Sequence, residues 1–215
     1  MKGLTKADNE NRRTIQSAMS KTRNIKCAVF NFGQVDLYFS YYYKKFVKGE
    51  RFMMADMVKR YVKFISELDC RNCHKIVFGV YPSTIQDQHV FGCLLNYGIM
   101  QKDAIRRISE SEKKRVSKHA FRHTLYKKMN GLLQKECAIR HIEYIGFDDA
   151  LLGDDRRLKK EFVNPVSLYS IHLLWEPLLP ILLKKLKCCK IKHKFKVNLA
   201  SSLQDFIRRK ENEVK

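Results

Sequence analysis

The sequence predicts an α/β protein: a three-layer α/β/α sandwich with a parallel sheet. Three short apolar runs, at residues 25–32, 75–81 and 141–147, have the length of buried strands. Segments whose apolar residues have helical spacing lie between these runs and after the last one. This alternation is typical of a parallel sheet whose strands are joined by right-handed helical crossovers.

The first half of the chain follows this scheme. Residues 1–24 are polar and basic without clear periodicity, so we expect a peripheral segment, either a loop or a surface helix. The domain itself is expected over residues 25–186. Its first helix is predicted over 53–68, where apolar residues recur every three or four positions. Pro82 ends the second strand, because proline cannot donate to a sheet ladder.

The second half is more basic. A helical pattern extends over residues 103–137, and Asp148 and Asp149 end the third strand. A final apolar helix is predicted over residues 167–186, followed by a basic C-terminal tail over 187–215.

The chain carries a large positive charge. Its 43 Lys and Arg against 22 Asp and Glu give a formal net charge of +21 among 215 residues. Such an excess favours an anionic partner, such as nucleic acid, an acidic glycan or an acidic membrane surface. The candidate contacts are the C-terminal lysines and a group in the central helical region: Arg106, Arg107, Lys113, Lys114 and Arg115.

Cysteine usage and hydropathy indicate a cytoplasmic protein. The seven cysteines are an odd number, and no secretory signal opens the chain, which favours free thiols in a reducing compartment. No apolar run reaches the ~18–20 residues of a membrane span. The lysines of the tail could contact an anionic membrane from one side, and the Cys188–Cys189 pair could carry acyl chains. A plain basic extension is the alternative.

Two patterns resemble ligand sets for a metal or a haem. Cys70, Cys73 and His74 form a Cys-x-x-Cys-His string, which occurs in haem attachment and in half of a zinc site. His119 and His123 are four residues apart on a predicted helix. The simpler interpretations are ordinary thiols at a turn and a solvated basic helix face, so we assign neither a metal nor a cofactor.

Polar residues at the ends of two strands indicate a site. Gly33, Gln34 and Asp36 follow the first strand, and Ser83 follows the second. Because the carboxyl ends of parallel strands meet at one edge of a sheet, these groups are expected to lie close together. His172, near the predicted start of the last helix, could reach the same edge as a general base. The alternatives are a solvated turn and a histidine that packs within its helix.

Aromatic and basic residues alternate after the first strand, over residues 38–46. Such a segment can stack on sugars or bases. We therefore take Tyr38, Tyr41, Tyr42 and Lys44, together with Ser83, as candidate substrate-binding residues. The alternative is that half of the aromatic side chains pack in the core and half face solvent.

The order of these motifs over residues 25–186 resembles the SGNH/GDSL-type hydrolases. Gly33 and Asp36 match the first and last positions of the family's Gly-x-Asn-Asp block, although Val35 stands at the Asn position. His172 matches the histidine of its Asp-x-x-His block, although Tyr169 stands at the Asp position. The family's Gly-Asp-Ser block, which carries the nucleophile, is not found in this sequence.

The resemblance implies a flavodoxin-like, SGNH-like fold and a serine esterase or acyl transferase acting on a glycan. Gly33 and Gln34 would then contribute to the oxyanion hole, Asp36 would orient the loop, and His172 would be the base. The missing nucleophile block predicts that the chain is N-terminally shortened or inactive. A non-catalytic protein that binds a polyanion, either nucleic acid or an acidic glycan, is the alternative.

Overall fold

The computed structural model describes residues 9–22, 25–70, 73–164 and 167–188. The strands are β1 Cys27–Phe30, β2 His74–Phe78 and β3 Glu143–Ile145. The α-helices are α1 Glu10–Lys21, α2 Met54–Glu67, α3 Val90–Asn96, α4 Lys102–Arg106, α5 Glu110–Ser117, α6 His119–Ile139, α7 Asp148–Leu151 and α8 Leu179–Cys188. The expected basic tail, from residue 189 onward, lies outside the described residues.

The three strands form one parallel sheet in the order β1-β2-β3, which confirms the α/β class and the parallel sheet. The connection from β1 to β2 and the connection from β2 to β3 both lead to the next strand in the same direction across the sheet. Right-handed connections therefore place the helices of both crossovers on the same face. In agreement with this, α2 from the first crossover packs against α6 from the second.

The central strand is buried on both faces. Val77 belongs to the main hydrophobic core, which also contains Val58 and Ile65 of α2. On the other face Ile76 is fully buried, and the Phe78 ring lies edge-to-face against Phe147 at 5.1 Å. Burial on both sides explains why β2 is a nearly continuous apolar run rather than an alternating one.

Side-chain amides continue the hydrogen bonding of β2 beyond its last residue. The Asn130 carboxamide of α6 accepts from Val80 N–H at 2.9 Å and donates to Val80 C=O at 3.0 Å. The Gln34 carboxamide likewise accepts from Tyr81 N–H and donates to Tyr81 C=O, both at 3.1 Å. Gly79 allows this close approach, since a Cβ there would lie 3.0 Å from Asn130 Oδ1. The main chain thus stays extended past the paired strand.

The segment after β1 is helical, which the sequence analysis did not predict. Gly33 turns the chain with a φ of 121°, a value that favours glycine, and its C=O accepts from Leu37 N–H at 2.8 Å. Two π-helical segments follow, Asp36–Ser40 and Tyr43–Val47. A π-helix has a wider turn than an α-helix. Its buried residues therefore do not follow the 3.6-residue spacing by which a helix is predicted from sequence.

The helical pattern over residues 103–137 is divided among three helices, α4, α5 and α6. Ser109 caps α5, because its hydroxyl accepts from Glu112 N–H. The main chain at Lys118 is extended and separates α5 from α6.

The predicted helix over residues 167–186 is wrong in its first half, since α8 begins at Leu179. His172 consequently lies in a loop and not at a helix start. Pro177 disfavours a helical conformation of the residue before it. Hydrogen bonds from Tyr81 and Thr84 to the main chain of residues 170 and 171 also hold the loop in an extended path.

The chain divides into two compact units, with the boundary after Leu173. In the described part of the second unit, Leu178 and Leu179 N–H both donate to Trp175 C=O as the chain enters α8. Across the described residues of both units, no helix has the length and apolar character that crossing a membrane requires.

Replacement of Asn130 by Ala should lower the free energy of unfolding by about 2–4 kcal/mol, because it leaves two buried main-chain groups of Val80 without partners. Urea denaturation measures the change. Gln134→Ala, at an exposed position of the same helix, is the matched control and should change it by less than about 0.5 kcal/mol. Equal effects of the two variants would contradict a special role for the Asn130 amide.

Candidate ligand groove at the carboxyl edge of the sheet

Three segments that the sequence analysis selected meet at the carboxyl edge of the sheet. Gln34, after β1, binds the main chain of Tyr81, after β2. The Tyr81 hydroxyl donates to Ile171 C=O at 3.1 Å, and Thr84 Oγ1 donates to Ser170 C=O at 2.6 Å. The loop that carries His172 is therefore attached to the same edge as the two strand ends.

A buried arginine fixes the loop that follows Tyr81. The Arg122 side chain of α6 is 2% exposed. Its Nη1 donates to Ser83 Oγ and to Ile85 C=O, the latter at 2.6 Å, while Nη2 donates to Asp87 Oδ1 at 2.5 Å. Nε donates to Ser117 C=O at 3.1 Å. One guanidinium thus binds both the loop 83–87 and the C-terminal end of α5.

A polar groove of about 570 Å³ lies beside this loop. Its volume is in the ~300–1,000 Å³ range of small-molecule sites. We call it the polar groove and define it by residues 83–88, His119, Asp155, Arg157, Leu158, Lys160 and Val163. All of these belong to the first unit.

A hairpin-like turn forms the second wall of the polar groove. Leu152 and Leu158 pair across it in antiparallel fashion. Gly153 N–H donates to Arg157 C=O at 2.8 Å, and Asp155 Oδ1 accepts from Arg157 N–H at 2.9 Å. The turn therefore presents the side chains of Asp155 and Arg157 at the groove.

Burial and neighbouring charges favour the neutral form of His119 in the groove. Burial is the first cause that lowers the pKa of His119, and the charges of Arg122 and Arg157 lower it further. Asp87 acts in the opposite direction but is the last of the causes. The imidazole is therefore held in its neutral form at neutral pH, in which it can accept or donate a hydrogen bond.

The remaining predicted catalytic residues differ in exposure. His172 is exposed, and the Ser170 hydroxyl contacts both its N–H and its C=O. Gly33 and Asp36 are buried, Asp36 to 6% exposure at the start of the first π-helical segment. The Gln34 amide forms two hydrogen bonds with the main chain of Tyr81 and so holds the two strand ends together. Its contribution to an oxyanion hole stays a prediction.

The predicted substrate-binding residues separate into two groups. Tyr38 and Tyr42 are buried in the main core, where the Tyr42 hydroxyl donates to Val116 C=O at 2.8 Å, so the core-packing alternative describes these two rings. Tyr41 is half-buried and its ring contacts Tyr42 and Phe121. Lys44 forms an ion pair with Glu50. Ser83 alone among the five lines the polar groove.

Several of the predicted basic contacts have acidic partners on their own helices. Arg106 pairs with Asp103, Lys113 with Glu110, and Arg115 with Glu112. Hydrogen bonds from Arg115 and Lys45 hold the pKa of Glu112 at about 2. Local pairing thus reduces the positive charge that this face offers to a polyanion.

The structure contains no recognisable metal cluster among its described residues. Cys70 and Cys73 are half-buried free thiols at the opposite, amino end of β2, and His74 is paired with Glu143 of β3. Of the two histidines considered as a metal pair, His119 lines the polar groove, and the rings of His119 and His123 lie 5.6 Å apart.

Sequence reasoning missed Arg122, Asp87 and the turn around Asp155. Arg122 lies in a strongly basic stretch that was interpreted as a solvated face. A usable signal was its position four residues before Tyr126, on the helix face whose buried residues include Tyr126 and Met129. Asp87 and Asp155 gave no comparable signal, since they approach the edge only through loops.

Comparisons of this chain with protein-family models, with curated proteins and with solved structures find no match.

Arg122→Met should lower the free energy of unfolding by about 2–4 kcal/mol, because Asp87, Ser83 and the Ile85 carbonyl lose a buried partner. Chemical denaturation gives the value. Arg106→Met, at an exposed position, should stay within about 0.5 kcal/mol of the parent. A loss below about 1 kcal/mol in Arg122→Met would show that the loop does not depend on the guanidinium.

The stability of the protein should fall as the pH is lowered from 7 through about 6.5. Burial lowers the pKa of both His119 and His123 in the folded chain. Below the ordinary pKa of histidine, ~6.5, the unfolded chain therefore binds more protons than the folded one, which favours unfolding. A denaturation series between pH 7.5 and 5.5 tests this, and the double variant His119→Asn, His123→Asn should flatten the dependence. An equally steep dependence in that variant would assign it to other groups.

Proposed function

We propose that this protein is an SGNH-hydrolase-like α/β/α protein that hydrolyses or transfers an acyl group on a glycan bound in the polar groove. The observation that carries the proposal is the meeting of three segments at one sheet edge: the Gly33–Asp36 turn, the Tyr81–Thr84 turn and the His172 loop. Their order along the chain is the order that the resemblance implies.

The groove supports a glycan as the ligand. Its lining combines hydroxyl, amide and charged side chains with a few apolar ones, and polar groups of this kind orient a polyol. The volume of about 570 Å³ is of the size that a small sugar unit needs. Val163 lines the groove and pairs with Leu173, the residue after His172, so the imidazole is attached close to the ligand space.

In this proposal His172 is the general base. Its imidazole takes the proton of the hydroxyl that attacks the acyl carbon, and it returns that proton to the leaving oxygen. The identity of the attacking hydroxyl stays open. As the resemblance implies, Gly33 and Gln34 would supply the N–H donors that stabilise the oxyanion of the tetrahedral intermediate. Asp36 starts the helical segment that follows and so orients this turn.

His172→Asn should reduce the release of acetate from an acetylated oligosaccharide by at least about 100-fold, because a general base contributes ~10²–10⁴ in rate. The exposed position of His172 means that its replacement should leave the thermal midpoint unchanged. His141→Asn is the matched control: His141 is also exposed, and asparagine tolerates its positive φ of 52°.

Two results would contradict the proposal. Equal turnover by the His172→Asn variant and the parent would remove His172 from the mechanism. A parent protein that releases no acyl group from a panel of acylated glycans would leave the non-catalytic polyanion-binding alternative. That alternative predicts binding to an anionic polymer that weakens steeply as salt is raised.

A further inference from the structure

The charged side chains around the polar groove are unequally engaged within the protein. Two acidic and two permanently cationic side chains line it: Asp87, Asp155, Arg157 and Lys160. Which of them remain available to a ligand depends on how each is already paired within the protein.

Both carboxylates are used internally. Asp87 accepts from the buried Arg122 guanidinium at 2.5 Å, so this pair is neutral as a unit. Asp155 Oδ1 accepts the main-chain N–H of Arg157 at 2.9 Å and so holds its own turn. Asp87 is therefore already neutralised by Arg122, whereas Asp155 leaves one carboxylate charge to offset the two cations Arg157 and Lys160.

The cations are less engaged. The Arg157 Nε lies 3.9 Å from Asp155 Oδ2, a loose contact between two exposed side chains. Lys160 is exposed and, within the described residues, has no ion-pair partner. Both side chains line the polar groove, and both carry donors that can bind an anion.

His119 lies in the same groove. Burial lowers the pKa of its imidazole, and the charges of Arg122 and Arg157 lower that pKa further, while Asp87 opposes them. A neighbouring positive field disfavours the imidazolium in this way. A ligand that brings negative charge would reverse this effect.

We infer that the polar groove binds a sugar that carries an anionic group, with Arg157 and Lys160 contacting the anion and the 83–88 loop contacting the sugar hydroxyls. Thr84 and Gln86 supply hydroxyl and amide groups to the lining. This inference rests on the groove being the ligand site of the proposed function, but it requires no catalysis. The anionic group can be a phosphate or a carboxylate, since both accept hydrogen bonds from guanidinium and ammonium groups.

The test is a set of calorimetric titrations with four probes: glucose, glucose 6-phosphate, glucuronate and inorganic phosphate. Glucose 6-phosphate or glucuronate should bind at least about 10-fold more tightly than glucose, because one charge-assisted hydrogen bond contributes about that factor. A preference for glucose 6-phosphate identifies a phosphorylated sugar, and one for glucuronate identifies an acidic sugar. Glucose binding as tightly as both would overturn the inference, as would inorganic phosphate binding as tightly as glucose 6-phosphate.

Variants locate the contact. Arg157→Gln and Lys160→Gln should each weaken binding of the preferred probe about 10-fold, whereas Lys128→Gln, an exposed lysine of α6 outside the groove, should not. Equal affinities in all three variants would place the binding elsewhere. The His119 imidazole gives a second readout: its pKa, followed by NMR, should rise when the anionic probe is bound and stay unchanged with glucose.

The same measurements separate this inference from the proposed function. Binding of the anionic probe by a parent that shows no acyl release would contradict the proposed function and support the inference. Turnover of a neutral acylated glycan without any preference for the anionic probes would support the proposed function and contradict the inference.

Discussion

The constraint on which the rest of the structure depends is the satisfaction of the main chain that leaves β2. The paired strand ends at Phe78, yet the chain continues buried over residues 79–82 and partly buried over residues 83–85. Each buried N–H and C=O on this path needs a partner, because an unpaired group costs roughly as much as a lost hydrogen bond. Three side chains, Asn130, Gln34 and Arg122, supply those partners. Asn130 and Arg122 belong to α6 and Gln34 follows β1, so they also hold these elements together at the carboxyl edge.

This arrangement gives α6 a double role. Its apolar residues pack against α2 and contribute to the core, while Asn130 and Arg122 face the path of residues 80–87. His119, at the beginning of the same helix, lines the groove. Because α6 is anchored in the core, the groove residues that it carries have a fixed position. A groove held in this way is preorganised, because its main chain is fixed before a ligand binds.

The distribution of charge follows from the same packing. Three basic residues of α4 and α5 are paired with acidic residues of their own helices, so the charge of these three is offset locally. In the groove the acidic residues are more engaged than the basic ones. Asp87 is paired with the buried Arg122, and Asp155 accepts a main-chain hydrogen bond within its own turn. The net charge of +21 alone could not locate an anion site. The location depends on which carboxylates the fold itself uses.

The sequence by itself determined the α/β class, the parallel sheet and the approximate places of the three strands and of α2. These features follow from apolar periodicity and from the chain's local turn residues, which act over a few positions. The tertiary structure decided which polar residues meet. Arg122 is buried although its neighbours in sequence are solvated cations, and Tyr38 and Tyr42 are in the core although they stand in a polar, aromatic run. It also decided that the His172 segment is a loop, because hydrogen bonds to Tyr81 and Thr84, some 86 to 90 residues away in the chain, compete with its local helical tendency. Interactions over such separations leave no periodic signal, since they depend on how the elements pack and not on the residues beside them.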